Sequence, residues 1–141
     1  MARGQWVFDP DSGGVKIKDA VKQRTEARIR RYAEEHYAGR YTKLEIRFRN
    51  QFCYIDAYTE PHVPEDWPPP GFPETREETI ERLRNTPTHL CRLRYRGQED
   101  EWGFAFYSYS KERYELSVFD DGSFFGTPED AFQSSAMYLE G

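Results

Sequence analysis

Two segments in which apolar and charged residues alternate one by one most limit the folds open to this chain. The first is residues 44–49, and the second is residues 90–96, where Cys91, Leu93 and Tyr95 alternate with three arginines. Such alternation is typical of a strand with one buried and one exposed face. Because mostly short turns join these and the other strand-like segments, we expect the strands to pair antiparallel.

Three segments predict helices. Apolar residues recur at helical spacing in residues 18–38, and Gly39 is a natural stop for that helix. Residues 75–78, Thr-Arg-Glu-Glu, form a capping box that opens a short helix ending near Arg84. Thr127, followed by Pro128 and two acidic residues, opens the last helix.

In chain order these elements are β-α-β-β-α-β-β-β-β-α, with a short strand or anchored arm at residues 6–8 in first place. We predict a single α+β domain over residues 1–141, built on an antiparallel sheet of about five to six strands. The long first helix and the last helix are expected to pack on one face of this sheet, and closure into a partial barrel is the alternative. The proline-rich loop at residues 59–73 separates the two halves and is expected to be stiff and extended.

The chain has two cysteines, Cys53 and Cys91, and shows neither a targeting segment nor an apolar stretch long enough to span a bilayer. We therefore expect a cytoplasmic protein without a membrane partner. Both cysteines alternate with core residues, which predicts burial as small apolar side chains, although a disulfide is possible if their strands are neighbours. His89, two residues before Cys91, is expected to share the strand face of that thiol.

Arginines are concentrated on the exposed side of the two alternating segments, and two tyrosines of the intervening segment could join them. The candidate binding residues are Arg47, Arg49, Arg92, Arg94, Arg96, Tyr54 and Tyr58. If the strands are neighbours, the guanidinium groups share one surface, where they could bind phosphate while the tyrosines stack on bases. The alternative is an ordinary solvated sheet face, on which carboxylates such as Glu45 and Asp56 neutralise the arginines in cross-strand pairs.

The catalytic candidates are Asp56, Glu60 and His62, which lie at the start of the proline-rich loop or just before it. Carboxylates combined with histidine can hold a divalent metal or perform general acid–base chemistry, as in a metal-assisted hydrolase or nuclease. The spacing of these three residues matches no metal-binding motif. We therefore predict no metal site and no cofactor.

Charge is distributed unevenly along the chain: residues 1–60 carry 12 Lys and Arg against 9 Asp and Glu, whereas residues 61–141 carry 8 against 16. With no catalytic motif and many Tyr and Arg, we predict a small non-catalytic binding protein with a macromolecular partner. A protein partner is favoured over nucleic acid, because the net charge is −5 and an acidic protein repels nucleic acid at long range. The alternatives are the enzyme described above and a nucleic-acid-binding protein that acts through the arginines.

Overall fold

The structure, a computed structural model, describes residues 13–139. Its elements are, in order, α1 (Asp19–Tyr37), β1 (Lys43–Arg49), β2 (Phe52–Tyr58), α2 (Arg76–Arg84), β3 (Thr88–Tyr95), β4 (Trp102–Ser108), β5 (Arg113–Ser117), β6 (Phe125–Gly126) and α3 (Pro128–Ser135), followed by a 3-10 turn at Ala136–Leu139. The strand or arm expected at residues 6–8 lies outside the described residues, and each of the other predicted elements is present. Between residues 13 and 139, no helix is long and apolar enough to cross a membrane.

The strands form one antiparallel sheet in the order β1-β2-β3-β4-β5, and β6 pairs with the first residues of β4. The β1–β2 hairpin is tight because Asn50 adopts a φ of 54°, in the left-handed region that Asn tolerates better than most residues. The sheet remains open, with β1 and β5 at its edges. The prediction of an α+β fold with an antiparallel sheet is confirmed, and the partial-barrel alternative is wrong.

Helices α1 and α3 pack on one face of the sheet, as predicted, and enclose the core with it. The buried apolar side chains of this layer come from both helices and from alternate strand positions: Val21, Ile29, Ala33, Leu44, Cys53, Ile55, Cys91, Leu93, Trp102, Phe104, Ala131 and Phe132. Burying one large apolar side chain contributes about 1.5–3 kcal/mol. Because successive side chains of a strand point to opposite faces, burial of the apolar set in β1 and β3 places the alternating polar set on the opposite face of the sheet.

An ion pair joins the two packed helices. The Arg28 guanidinium of α1 donates to the Glu129 carboxylate in the first turn of α3, at 2.7 and 2.9 Å. Thr127 caps α3 and Thr75 caps α2, each in a capping box. The ion pair therefore holds α1 and α3 together on one side of the sheet, and the other side is covered by neither helix.

Cys53 and Cys91 are fully buried on neighbouring strands, and both are free thiols. Burial raises the pKa of both thiols, that of Cys91 to about 12. They lie on diagonal positions, because Cys53 is opposite Leu93 and Cys91 is opposite Ile55. Both therefore act as small apolar side chains of the core, in agreement with the sequence.

The proline-rich loop folds back against α2. The Trp67 indole N–H donates to the Thr79 hydroxyl at 3.2 Å, and the ring centres of Trp67 and Phe72 are 5.0 Å apart. The Arg76 guanidinium donates to the backbone carbonyl of Val63 at 2.9 Å. The loop is therefore held by specific contacts rather than acting as a free linker between two halves.

Candidate functional site

The face of the sheet opposite α1 and α3 collects most of the polar and aromatic side chains singled out by the sequence. We call it the arginine face, and its residues follow from the strand register: Lys43, Glu45, Arg47, Arg49, Phe52, Tyr54, Asp56, Tyr58, His89, Arg92, Arg94, Tyr107, Tyr114 and Leu116. One row across the sheet pairs Arg47 with Tyr54 and Tyr54 with Arg92. The predicted neighbourhood of the arginines and tyrosines is therefore present.

The arginines of this face differ sharply in exposure. Arg49 is exposed and half of the Arg47 side chain is exposed, whereas Arg92 and Arg94 are only 7% and 4% exposed. Space for the buried pair comes from β4, where Arg94 lies opposite Gly103 and Arg92 opposite Ala105. A phosphate backbone would therefore meet fewer open cations on this face than the sequence alone indicates.

Aromatic rings lie against two of the arginines, the buried Arg92 and the half-buried Arg96. The Arg92 guanidinium lies 4.0 Å from the centre of the Phe52 ring and 5.0 Å from that of Tyr114. Beyond the end of β3, Arg96 lies 3.7 Å from the centre of the Phe125 ring. A cation over a ring is worth about 0.5–2 kcal/mol, the larger value applying where water is excluded. Both arginines therefore already form cation–π contacts with rings of the protein itself.

A carboxylate and an imidazole meet at the centre of the face. Asp56 is 1% exposed, and its two carboxylate oxygens accept hydrogen bonds from Arg47 Nη2 and from His89 Nδ1, both at 2.9 Å. Because a carboxylate held by a guanidinium only accepts hydrogen bonds, Nδ1 of His89 carries the proton in this contact. Asp56 therefore orients the imidazole ring.

The position of His89 corrects an expectation from the sequence. His89 was predicted on the strand face of Cys91, but the β2–β3 register shifts between Ile55 and Asp56. The shift places His89 opposite Asp56, on the arginine face, while Cys91 remains in the core. An irregular residue of this kind rotates all side chains beyond it to the other face, which alternation alone does not reveal.

Four tyrosines form a continuous array around His89, and we call them the tyrosine cluster: Tyr54, Tyr107, Tyr109 and Tyr114. The His89 ring centre lies 4.7 Å from that of Tyr107 and stacks on Tyr109 at 6.0 Å. Tyr114 lies 5.1 Å from Tyr107 and 5.6 Å from Tyr54, so the array crosses from β5 to β2. Tyr109 is 55% exposed, which leaves one end of the array open to solvent.

The hydroxyl of Tyr114 is buried and has no hydrogen-bond partner among residues 13–139. Burial, reinforced by the charge of Asp56 and opposed by that of Arg47, raises the pKa of this phenol well above its usual value. The group therefore stays protonated and is a donor. A buried polar group that lacks a partner calls for an explanation, because most such groups are satisfied.

A shallow cavity of about 600 Å³ is lined by Arg47, Phe48, Arg49, Tyr54, His89 and Tyr114. A second, larger cavity of about 860 Å³ is lined in part by Glu60, His62 and Tyr109. There the Glu60 carboxylate accepts a hydrogen bond from Arg84 at 2.8 Å, which lowers its pKa. Two of the catalytic candidates, Glu60 and His62, therefore line the second cavity, whereas Asp56 lines neither.

Asp56 thus belongs to the arginine face, whereas Glu60 and His62 line the second cavity. Over the part of the chain that the structure describes, no group of three or more His, Cys, Asp or Glu side chains could hold a metal ion. The three catalytic candidates are therefore not brought together as a metal-binding set.

Sequence reasoning missed four residues of the site: His89, Tyr107, Tyr109 and Tyr114. One signal for Tyr107 was present, because it alternates with Gly103 and Ala105 on the side of β4 that faces the arginines. Tyr114 lies opposite Tyr107 on the next strand, and its ring centre lies 5.0 Å from the guanidinium of Arg92, two strands away. Such a reach across strands depends on side-chain direction, which periodicity does not give.

No protein-family model, curated protein or solved structure matches this chain. The candidate site therefore rests on its own geometry.

Proposed function

We propose that this chain is a small, non-catalytic binding protein and that the tyrosine cluster, with the exposed arginines beside it, binds a protein partner. The supporting observation is the array of rings around His89, with neighbouring ring centres 4.7–6.4 Å apart, on a sheet face without α1 or α3. Tyrosine and arginine supply a large share of the binding energy in protein interfaces. Rings packed on one another also lose little conformational entropy when a partner binds.

A protein partner is favoured over nucleic acid by the state of the arginines. Binding along a phosphate backbone uses several accessible cations, and each contributes to a steep dependence of affinity on salt. Here Arg92 is enclosed by rings and Arg47 is held by Asp56. The chain also carries a net charge of −5. Electrostatic attraction to nucleic acid is therefore weak over the molecule as a whole.

An enzyme is the second candidate, and the orientation of His89 by Asp56 is the observation in its favour. An imidazole whose Nδ1–H is held by a carboxylate presents Nε2 as a general base. The earlier candidates Glu60 and His62 lie in the other cavity, so an enzyme would depend on His89 instead. Turnover of a substrate that stops in His89→Gln, while binding of the partner persists, would favour this second candidate.

The experiment that tests partner binding places a photoreactive p-benzoylphenylalanine at Tyr109, the exposed end of the tyrosine cluster, in cells of the native host. Gln23, exposed on α1, receives the same group as a matched control on the opposite side of the molecule. We expect a discrete adduct with one protein from position 109 and none from position 23. We also expect Tyr107→Ala to weaken that adduct, because truncating an interface tyrosine costs about 2 kcal/mol, roughly 30-fold in affinity.

Three outcomes would count against the proposal: equal adducts from both positions, adducts with nucleic acid, or no adduct from position 109. Circular dichroism of Tyr107→Ala is needed alongside, so that loss of the adduct is separated from loss of the fold.

A further inference from the structure

The cavity beside Tyr114 is lined by hydrogen-bond donors and cations but by no carboxylate. Its polar lining consists of the two exposed or half-exposed arginines of β1, two tyrosines and a histidine: Arg47, Arg49, Tyr54, His89 and Tyr114. Arg49 is exposed at this cavity and has no ion-pair partner among residues 13–139, so it places one uncompensated positive charge there. A ligand that complements this lining carries negative charge.

The two carboxylates near the cavity, Asp56 and Glu45, are paired with Arg47 rather than with Arg49. Both oxygens of Asp56 are used, one by Arg47 and one by His89. Glu45 lies 3.4 Å from Arg47 Nε, whereas Arg49 is exposed at the rim and forms no ion pair with any residue between 13 and 139. Arg49 is therefore the cation best placed to meet an incoming anion.

Tyr114 lines the same cavity, and its hydroxyl is a second donor. It is buried, protonated and without a partner among the described residues, and the phenol ring is fixed by Tyr54 and Tyr107. A fixed donor that already lacks its shell of water gains a hydrogen bond to an anion at little further cost. Charge and an unsatisfied donor thus point to the same kind of ligand.

We propose that this cavity binds a carboxylate, namely an Asp or Glu side chain presented by the protein partner, with Arg49 and Tyr114 as its donors. The inference rests on the proposed function and names the chemistry that the partner offers. A side-chain carboxylate fits better than a nucleic-acid phosphate, because the two further arginines that would follow a phosphate chain, Arg92 and Arg94, are buried. A single anion inserted between rings needs no such series of cations.

The test is a titration of the intact protein with N-acetyl-glutamate methylamide, which carries one side-chain carboxylate. N-acetyl-glutamine methylamide is the neutral control of the same shape, and inorganic phosphate is the competing anion. The NMR signal of the His89 ring reports binding, with His36 on α1 as the internal reference. We expect a saturable shift of His89 with the glutamate probe and none with the glutamine probe.

Two variants then identify the donors. Tyr114→Phe removes only the hydroxyl, and Arg49→Gln removes only the charge. Each substitution is expected to lower the affinity for the glutamate probe by about tenfold, the equivalent of one hydrogen bond to a charged group. Arg31→Gln, on the exposed surface of α1, is the matched control and is expected to leave the titration unchanged.

The assignment is overturned if the glutamine probe shifts His89 equally, if the shift does not saturate, or if phosphate binds more tightly than the glutamate probe. If the glutamate probe does not bind but the adduct from position 109 still forms, the protein partner is supported and only the assignment of its carboxylate to this cavity is wrong. If no adduct forms from position 109 either, the proposed function is wrong as well.

Discussion

The Tyr114 hydroxyl allows the site to be tested through the stability of the free protein. The hydroxyl is buried without a hydrogen-bond partner among residues 13–139, while its ring packs 5.1 Å from Tyr107 and 5.6 Å from Tyr54. Leaving a buried polar group unsatisfied costs about 1–3 kcal/mol. Tyr114→Phe keeps the ring contacts and removes that penalty. We therefore expect the variant to raise the free energy of unfolding by about 1 kcal/mol, the lower end of that range.

A second tyrosine of the same cluster supplies a matched control of opposite sign. The Tyr109 hydroxyl accepts a hydrogen bond from the backbone N–H of His89 at 2.9 Å. Tyr109→Phe is therefore expected to lower the free energy of unfolding by about 0.5–1.5 kcal/mol, since an ordinary hydrogen bond is lost. Urea unfolding followed by tryptophan fluorescence measures both, because Trp102 is fully buried and reports the core.

A loss of stability in Tyr114→Phe, with an unchanged dependence on urea, would refute this reasoning. It would mean that the hydroxyl is hydrogen-bonded in solution, and the case for a spare donor beside the cavity would fail. If stability rises as expected, the same variant should bind the glutamate probe more weakly. A group that destabilises the free protein but strengthens its complex is common at binding sites.

Two further substitutions test the electrostatics. Asp56→Asn cannot accept from both Arg47 and His89, and we expect it to lower the free energy of unfolding in urea by about 2–3 kcal/mol; a loss below about 0.5 kcal/mol would contradict the geometry. Burial raises the pKa of Glu129, but the hydrogen bonds and charge of Arg28, together with hydrogen bonds from the Glu129 backbone and from Thr127, outweigh burial and hold that pKa below its usual value. The contribution of Glu129 is therefore present above the unfolded pKa, about 4.5, and is lost as pH falls through the lower folded value. The difference in unfolding free energy between wild type and Glu129→Gln should shrink from pH 6 to pH 3, and a difference independent of pH would contradict this.

The fold was largely predictable because its elements carry local signals. The α1 helix was expected over residues 18–38 and spans Asp19–Tyr37, since an apolar stripe and Gly39 mark its extent. Both capping boxes begin the helices that they predict. The alternation in β1 and β3 also decided which residues face the core. Signals of this kind depend on neighbours in sequence, and so they are readable without the structure.

The candidate site was only partly predictable because its features depend on contacts between strands. The register shift at Ile55/Asp56 turns His89 away from Cys91, and no turn or glycine marks it in the sequence. The exposure of the arginines was equally unpredictable from the sequence. Arg49 and Arg92 both occupy the outward position of an alternating strand, yet Arg49 is exposed and Arg92 is buried. The difference comes from place in the sheet, because Arg49 ends the edge strand β1 and Arg92 lies in the central strand β3.

That burial changes the role assigned to Arg92. The sequence predicts that Arg92 is a ligand-binding cation. In the structure its guanidinium lies 4.0 Å from the ring centre of Phe52, 5.0 Å from that of Tyr114 and 6.0 Å from that of Tyr54. A cation among three rings restrains each of them, and every side chain ordered before binding spares about 0.5–1.5 kcal/mol when the complex forms. Affinity for a partner should therefore depend on Arg92 through the order of the tyrosine cluster, and on Arg49 through charge. Added salt should then weaken the Arg49 contribution and leave that of Arg92 nearly unchanged, because screening acts on exposed charges far more than on buried ones.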